Sequence, residues 1–115
     1  MACGITVSGW VPYWMDRMDE EWEKRQSEAP LLKKKPSAYM TAGNWFYATE
    51  PEESTLPFVL EKAGEDVILF ASDYPHWDGN FPHMVSTVKG RKDISERQKD
   101  KIMRANAIRL YGWNG

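Results

Sequence analysis

Val67, Ile68, Leu69, Phe70 and Ala71 follow one another without a polar interruption between Asp66 and Ser72. A run this short and this apolar predicts a strand over residues 66–72, covered on both faces as in a parallel sheet. A second strand is predicted over residues 44–50, where Trp45, Phe46, Tyr47 and Thr49 bring aromatic and β-branched side chains between turn-forming segments. Helical patterns surround both. Over residues 9–27, Pro12 suits a first turn, and Val11, Met15, Met18 and Trp22 recur at three- and four-residue intervals with Trp14 adjoining. Asp16, Asp19, Glu20 and Glu23 fill the opposite side, with Glu20 four residues ahead of Lys24. Residues 29–37 hold two prolines and the run Lys33, Lys34, Lys35, which reads as a solvated connection. Ser54 or Thr55 is suited to cap a short helix with Pro57 in its first turn and Gly64 at its end. Helical signals resume over residues 81–88. Ser95 and Gln98 then form a capping box ahead of a final helix carrying Ile102, Met103 and Ile108.

Helix, strand, helix, strand, helix, helix is an α/β order, and it argues for parallel strands joined by helical crossovers. Two strands alone leave unpaired edges and little core. Residues 1–115 therefore read as a single partial domain, a piece of a larger α/β fold. Six Trp and five Tyr point the same way, because a chain of 115 residues cannot hide so many rings. Either a binding surface or missing neighbouring structure accounts for them.

Charge and cysteine usage exclude several functions. Lys and Arg total 15 against 17 Asp and Glu, a formal charge of −2 that offers no basic field for nucleic acid or an anionic membrane. The single cysteine, Cys3, rules out an internal disulfide framework and a multi-thiolate metal site. No apolar run approaches the roughly 20 residues of a membrane span, and the first residues lack the basic region of a signal peptide. A soluble, cytoplasmic protein is expected.

Chemistry is expected where the apolar strand ends. In α/β folds the carboxyl ends of parallel strands face the ligand crevice. Asp73 emerges there, and an Asp following an apolar strand needs a cation or hydrogen-bond donors. Two readings are open: Asp73 caps the turn that follows, or it ligates a divalent metal and orients a metal-bound water. His76 and His83, with Asp73 and Asp78, form a candidate local ligand set. Pro75 stiffens that loop, however, and a short loop seldom points several ligands at one ion. Ser72, His76 and Asp78 are likewise too close in sequence for the usual triad geometry. Arg17 stands among acidic residues, where surface pairing competes with recognition of a carboxylate.

Two segments carry a family resemblance. The segment Gly9, Trp10, Val11, Pro12, Tyr13, Trp14, Met15, Asp16, Arg17, Met18, Asp19, Glu20 resembles the stretch after the sixth barrel strand of amidohydrolase-related proteins. Phe70 through Ser72, Asp73, Tyr74, Pro75, His76, Trp77 and Asp78 resembles their last-strand motif, and residues 102–112 their closing helix. The branch is the one containing aminocarboxymuconate semialdehyde decarboxylase. The resemblance implies the C-terminal fragment of a (β/α)₈ TIM barrel with a divalent metal, zinc in many members, at its mouth. It implies that Asp73 is the last-strand metal ligand. It also implies that Arg17 binds a substrate carboxylate, in some members across a homodimer interface. His76 is a candidate substrate contact. No His-x-His pair occurs in the chain, so the ligands that the family draws from its first and middle strands are lacking.

Three functions follow as expectations. The first is a part of a metal-dependent hydrolase that activates water against a small, carboxylated organic substrate. The second is a decarboxylase of the same family. The third, from another class, is a noncatalytic module that binds partners through its aromatic side chains. A helix-turn-helix reader is disfavoured by the acidic balance.

Overall fold

The structure is a computed structural model that describes residues 2–3 and 7–113. Its centre is a parallel sheet of three short strands, β1 (Ala2–Cys3), β2 (Phe46–Thr49) and β3 (Ile68–Phe70), in that spatial order. Ala2 lies opposite Phe46, and Tyr47 opposite Ile68. The two strands expected from sequence are present and parallel, each shorter at both ends than its apolar run. β1 is additional. Its two residues are too few to show a period, so nothing in the sequence marked it.

Helix α1 (Trp10–Lys24) buries Val11, Pro12 and Met15, one face of the expected stripe. On its far side Glu20 pairs with Lys24 and with Arg17, as the i,i+4 and i,i+3 spacings allow. A single 3₁₀ turn (Gln26–Glu28) follows. Residues 29–37 are only in part the open connection expected: Pro36 starts a second helix, α2 (Pro36–Met40). Asp19 holds its first turn, accepting from the Ser37 N–H at 2.9 Å and the Ser37 hydroxyl at 2.6 Å. The proline at the first helical position was the readable signal, outweighed by the lysine run before it.

Helix α3 (Leu56–Ala63) buries Leu56, Val59, Leu60 and Ala63, and Gly64 closes it at φ +94°, a backbone that favours glycine. The expected cap is different in kind. Thr55 occupies the capping position, but its hydroxyl donates to Glu53 Oε1 at 2.9 Å instead of accepting from the helix. Helix α4 (Met84–Gly90) starts three residues later than expected, because residues 81–83 form a turn. The capping box is formed as read: Ser95 Oγ accepts from the Gln98 N–H, and the Gln98 side chain accepts from the Ser95 N–H. Behind it runs α5 (Glu96–Asp100), a π-helical turn (Lys101–Ala105) and α6 (Asn106–Tyr111).

The core lies where these helices meet the sheet, around Val11, Tyr47, Leu56, Val59, Ile68 and Ile102. Ile68 is buried, whereas Leu69 and Phe70 are only partly so. The expectation of cover on both faces of β3 therefore fails at two of its three residues. β3 is an outer strand of the described sheet, and no further strand extends the cover past it. Tyr13, Trp14, Trp77, Phe81, Tyr111 and Trp113 are exposed, the aromatic surplus expected from composition. No helix among the described residues is long and apolar enough to cross a membrane.

Candidate functional site

Parallel strands present all their carboxyl ends on one side of the sheet, and two carboxylates sit there under different constraints. Glu53, in the loop after β2, is tied down. Its Oε2 accepts from the Ser8 N–H at 2.9 Å, the Ser8 hydroxyl at 2.9 Å and the Thr49 hydroxyl at 2.6 Å. Ser8 and Thr49 are both fully buried. Gly9 makes this approach feasible, since a Cβ there would stand 2.7 Å from Thr55 Oγ1 and 3.0 Å from Glu53 Oε1. Burial raises the Glu53 pKa, but the hydrogen bonds from Thr49, Ser8 and Thr55 outweigh it and hold the group below its ordinary 4.5.

A carboxyl held below its unfolded value adds stability that is complete above that value and disappears as pH falls through the lowered one. Thermal melts of Glu53→Gln and the unaltered chain should therefore converge as pH drops below 4.5, with the larger gap at neutral pH. A gap independent of pH would show that the ionised form contributes nothing.

Asp73 follows β3 by three residues and is constrained differently. Its backbone is left-handed at φ +52°, a conformation Asp tolerates better than most residues. The following turn is closed by its backbone carbonyl, which accepts from the His76 N–H at 2.7 Å; the next turn repeats this, Gly79 N–H to His76 carbonyl, at 3.1 Å. The turn is thus closed by the Asp73 main chain, while its carboxylate faces the His76 ring at 3.7 Å. Asp78 hydrogen-bonds the same ring nitrogen, Nδ1. That bond, with the nearby charge of Asp78, raises the His76 pKa and lowers that of Asp78.

One donor atom from each of Asp73, His76 and Asp78 lies within 4.8 Å of the other two. A short loop seldom points several ligands at one ion, yet three of the four candidate residues here come together, and His83 is not among them. Two carboxylates and an imidazole are a donor set suited to zinc and similar divalent ions. Both carboxylates approach His76 at Nδ1, so an ion held by all three residues would take the place of the Asp78 hydrogen bond at that nitrogen. All three side chains are between about a third and a half exposed. Ser72 is not in this set; its hydroxyl accepts from the Tyr74 N–H at 3.4 Å.

Arg17 lies on the exposed side of α1, paired with Glu20 at 2.9 Å and Glu21 at 2.6 Å. It borders a groove of about 850 Å³ whose walls include Trp10, Trp14, Met18, Trp22, Tyr39 and Trp45. None of Asp73, His76 and Asp78 lines that groove, so the groove and the polar cluster are separate features.

The amidohydrolase family profile matches residues 8–113, nearly the whole chain. The chain belongs to the amidohydrolase family. Among solved structures, the chain is similar to an amidohydrolase from Mycobacterium avium subsp. paratuberculosis K-10, with 30% identity and a TM-score of 0.73 over 90% of this chain. It spans 26% of that protein's length. Comparison with curated proteins gave no match. The fold is accordingly that of a fragment of a TIM-barrel amidohydrolase, with parallel strands and flanking helices. Amidohydrolases generally use divalent metals, and the Asp73, His76 and Asp78 donors are of the right chemical kind.

Proposed function

We propose that this chain supplies the last-strand part of a metal-dependent hydrolase centre, with Asp73 as a metal ligand. The supporting observation is that Asp73 leaves the carboxyl end of β3 beside His76 and Asp78, in a chain of the amidohydrolase family. When bound, a divalent metal such as zinc polarises a substrate carbonyl and lowers the pKa of water. The chain's own residues do the rest. Asp73 offers carboxylate oxygens, and Asp78 holds the His76 ring beside them through Nδ1, where the imidazole serves as a ligand, a substrate contact or a proton acceptor. The substrate is a small organic carboxylate, and Arg17, which borders the separate groove along α1, is the residue proposed to bind its carboxylate end. The present pairs of Arg17 with Glu20 and Glu21 are exposed and individually weak, so exchanging one carboxylate partner for another costs little.

Hydrolysis is the reading preferred over decarboxylation of the kind catalysed in the aminocarboxymuconate semialdehyde decarboxylase branch. A chimera tests the choice, with residues 8–113 replacing the matching quarter of the Mycobacterium amidohydrolase. Loaded with zinc, it should cleave carboxylated esters, amides or lactones without releasing carbon dioxide. Carbon dioxide release without water consumption would assign the decarboxylase instead. A chimera that folds, binds no metal and turns over neither class would remove both.

One observation favours a noncatalytic second reading. The indole N–H groups of Trp10 and Trp22, both at the groove, are buried with no acceptor among the described residues. A partner seated in that groove would cover the apolar walls these rings present.

A further inference from the structure

We infer that two adjacent carboxylates in the loop after β2, Glu52 and Glu53, are the positioning residues of this site: Glu53 fixes the loop entering α1, and Glu52 fixes the loop that carries Asp73. The inference rests on the reading of Asp73 as the centre of the site. Each half of it has its own set of contacts. Glu53 receives three hydrogen bonds from the loop before α1 and the end of β2, spanning 45 residues of sequence to reach Ser8. Glu52 reaches the other way. Its Oε1 accepts from Asn80 Nδ2 at 2.6 Å, across 28 residues.

Asn80 is the last residue of the loop that starts at Asp73, and its position is transmitted through close backbone contacts. Gly79 sits so near the carbonyls of His76 and Ser72 that a Cβ there would stand 3.2 and 3.4 Å from them. The Gly79 N–H holds the His76 carbonyl, and the His76 N–H holds the Asp73 carbonyl. Wherever Asn80 is anchored, Gly79, His76 and Asp73 are placed with it. Asn80 Nδ2 also reaches Thr87 Oγ1 at 3.1 Å, so the anchor extends into α4.

The loop bearing both glutamates is itself held. Arg91 Nη1 donates to the Pro51 carbonyl at 2.9 Å, and both the Arg91 side chain and Pro51 are largely buried. One rigid turn thus faces two loops with two carboxylates. This arrangement fits a site whose Asp73-bearing loop must be held in place at the end of the sheet, because catalytic groups tolerate little misplacement.

Amide exchange measured by NMR on the whole chain, without metal or substrate, tests this. Glu52→Ala should speed exchange at His76 and Gly79 by about threefold, the scale of one lost exposed charged hydrogen bond, and shift the His76 ring resonances, leaving Ser8 unchanged. Glu53→Ala removes the acceptor of the Ser8 N–H itself and should speed exchange at Ser8 and Val11 by about tenfold, leaving His76 and Gly79 unchanged. Glu52→Gln keeps an acceptor for Asn80 and should restore protection, a rescue that general loosening would not give. If Glu53→Ala does not fold, Glu53→Gln carries the second arm, with Ser8 protection falling less. Unchanged exchange at all four amides, or uniform acceleration throughout the chain, would overturn the assignment. Because no metal enters the measurement, its failure leaves the metal reading intact, and failure of the metal reading leaves these contacts intact.

Discussion

Replacing Asp73 with alanine in the chimeric barrel will lower both bound divalent metal and turnover by more than about a hundredfold, with little change in the melting profile. Loss of an outer-shell partner alone costs 10–100-fold in metal affinity or activity, by general experience, and Asp73 is proposed to touch the ion directly. Stability should be spared because the Asp73 side chain is about a third exposed and its carboxylate closes no turn; the carbonyl does that, and alanine retains it. The left-handed backbone at φ +52° adds a modest strain that Asn tolerates better than Ala. Asp73→Asn is therefore the companion variant, keeping the backbone preference while removing the charge. Metal content by elemental analysis and initial rates would be read together. Full metal occupancy in both variants would take Asp73 out of the ligand set, whatever the rates.

The sheet and the site were legible in the sequence to different depths. The apolar run ending at Ser72 revealed β3, and the Asp that followed was conspicuous because an apolar strand offers a carboxylate no partner. What could not be read was the path of the next six residues. Two successive turns, each closed by a main-chain carbonyl, bring residues three and five positions apart into one cluster, and that depends on a left-handed φ at Asp73. Asp is permitted there but not required to be. Glu53 was missed for another reason. A Pro-Glu-Glu-Ser stretch looks like any solvated turn, and nothing local shows that Ser8, 45 positions earlier, donates to it twice. Arg17 was placed correctly on a charged helix face, where i,i+3 and i,i+4 spacing makes its acidic partners readable.

The residue with the largest expected effect on stability was not singled out by pattern at all. Asn106 lies at the start of α6, directly after the π-helical turn, and is almost completely buried. Successive carbonyls of a strand point to opposite sides. That of Val67 accepts from the Tyr47 N–H in β2, leaving the Ile68 carbonyl directed away from the sheet partner. Asn106 Nδ2 donates to that carbonyl at 2.7 Å and to the Glu65 carbonyl at 2.8 Å, using both hydrogens of one amide. It thus stands in for a neighbouring strand at the edge of β3. Asn106→Ala removes both donors and leaves a buried carbonyl unpaired, a loss of about 3 kcal/mol. For a chain of this size that is a fall in Tm of about 10 °C or more. Asn106→Asp keeps the volume but faces carbonyl oxygens with a carboxylate, and should be worse; a larger deficit at neutral than at acidic pH would identify the charge as the cause. A melt of Asn106→Ala within about 2 °C of the unaltered chain would mean that water replaces the amide at no net cost. The edge of β3 would then be held by the packing of Ile68 and Ile102 alone.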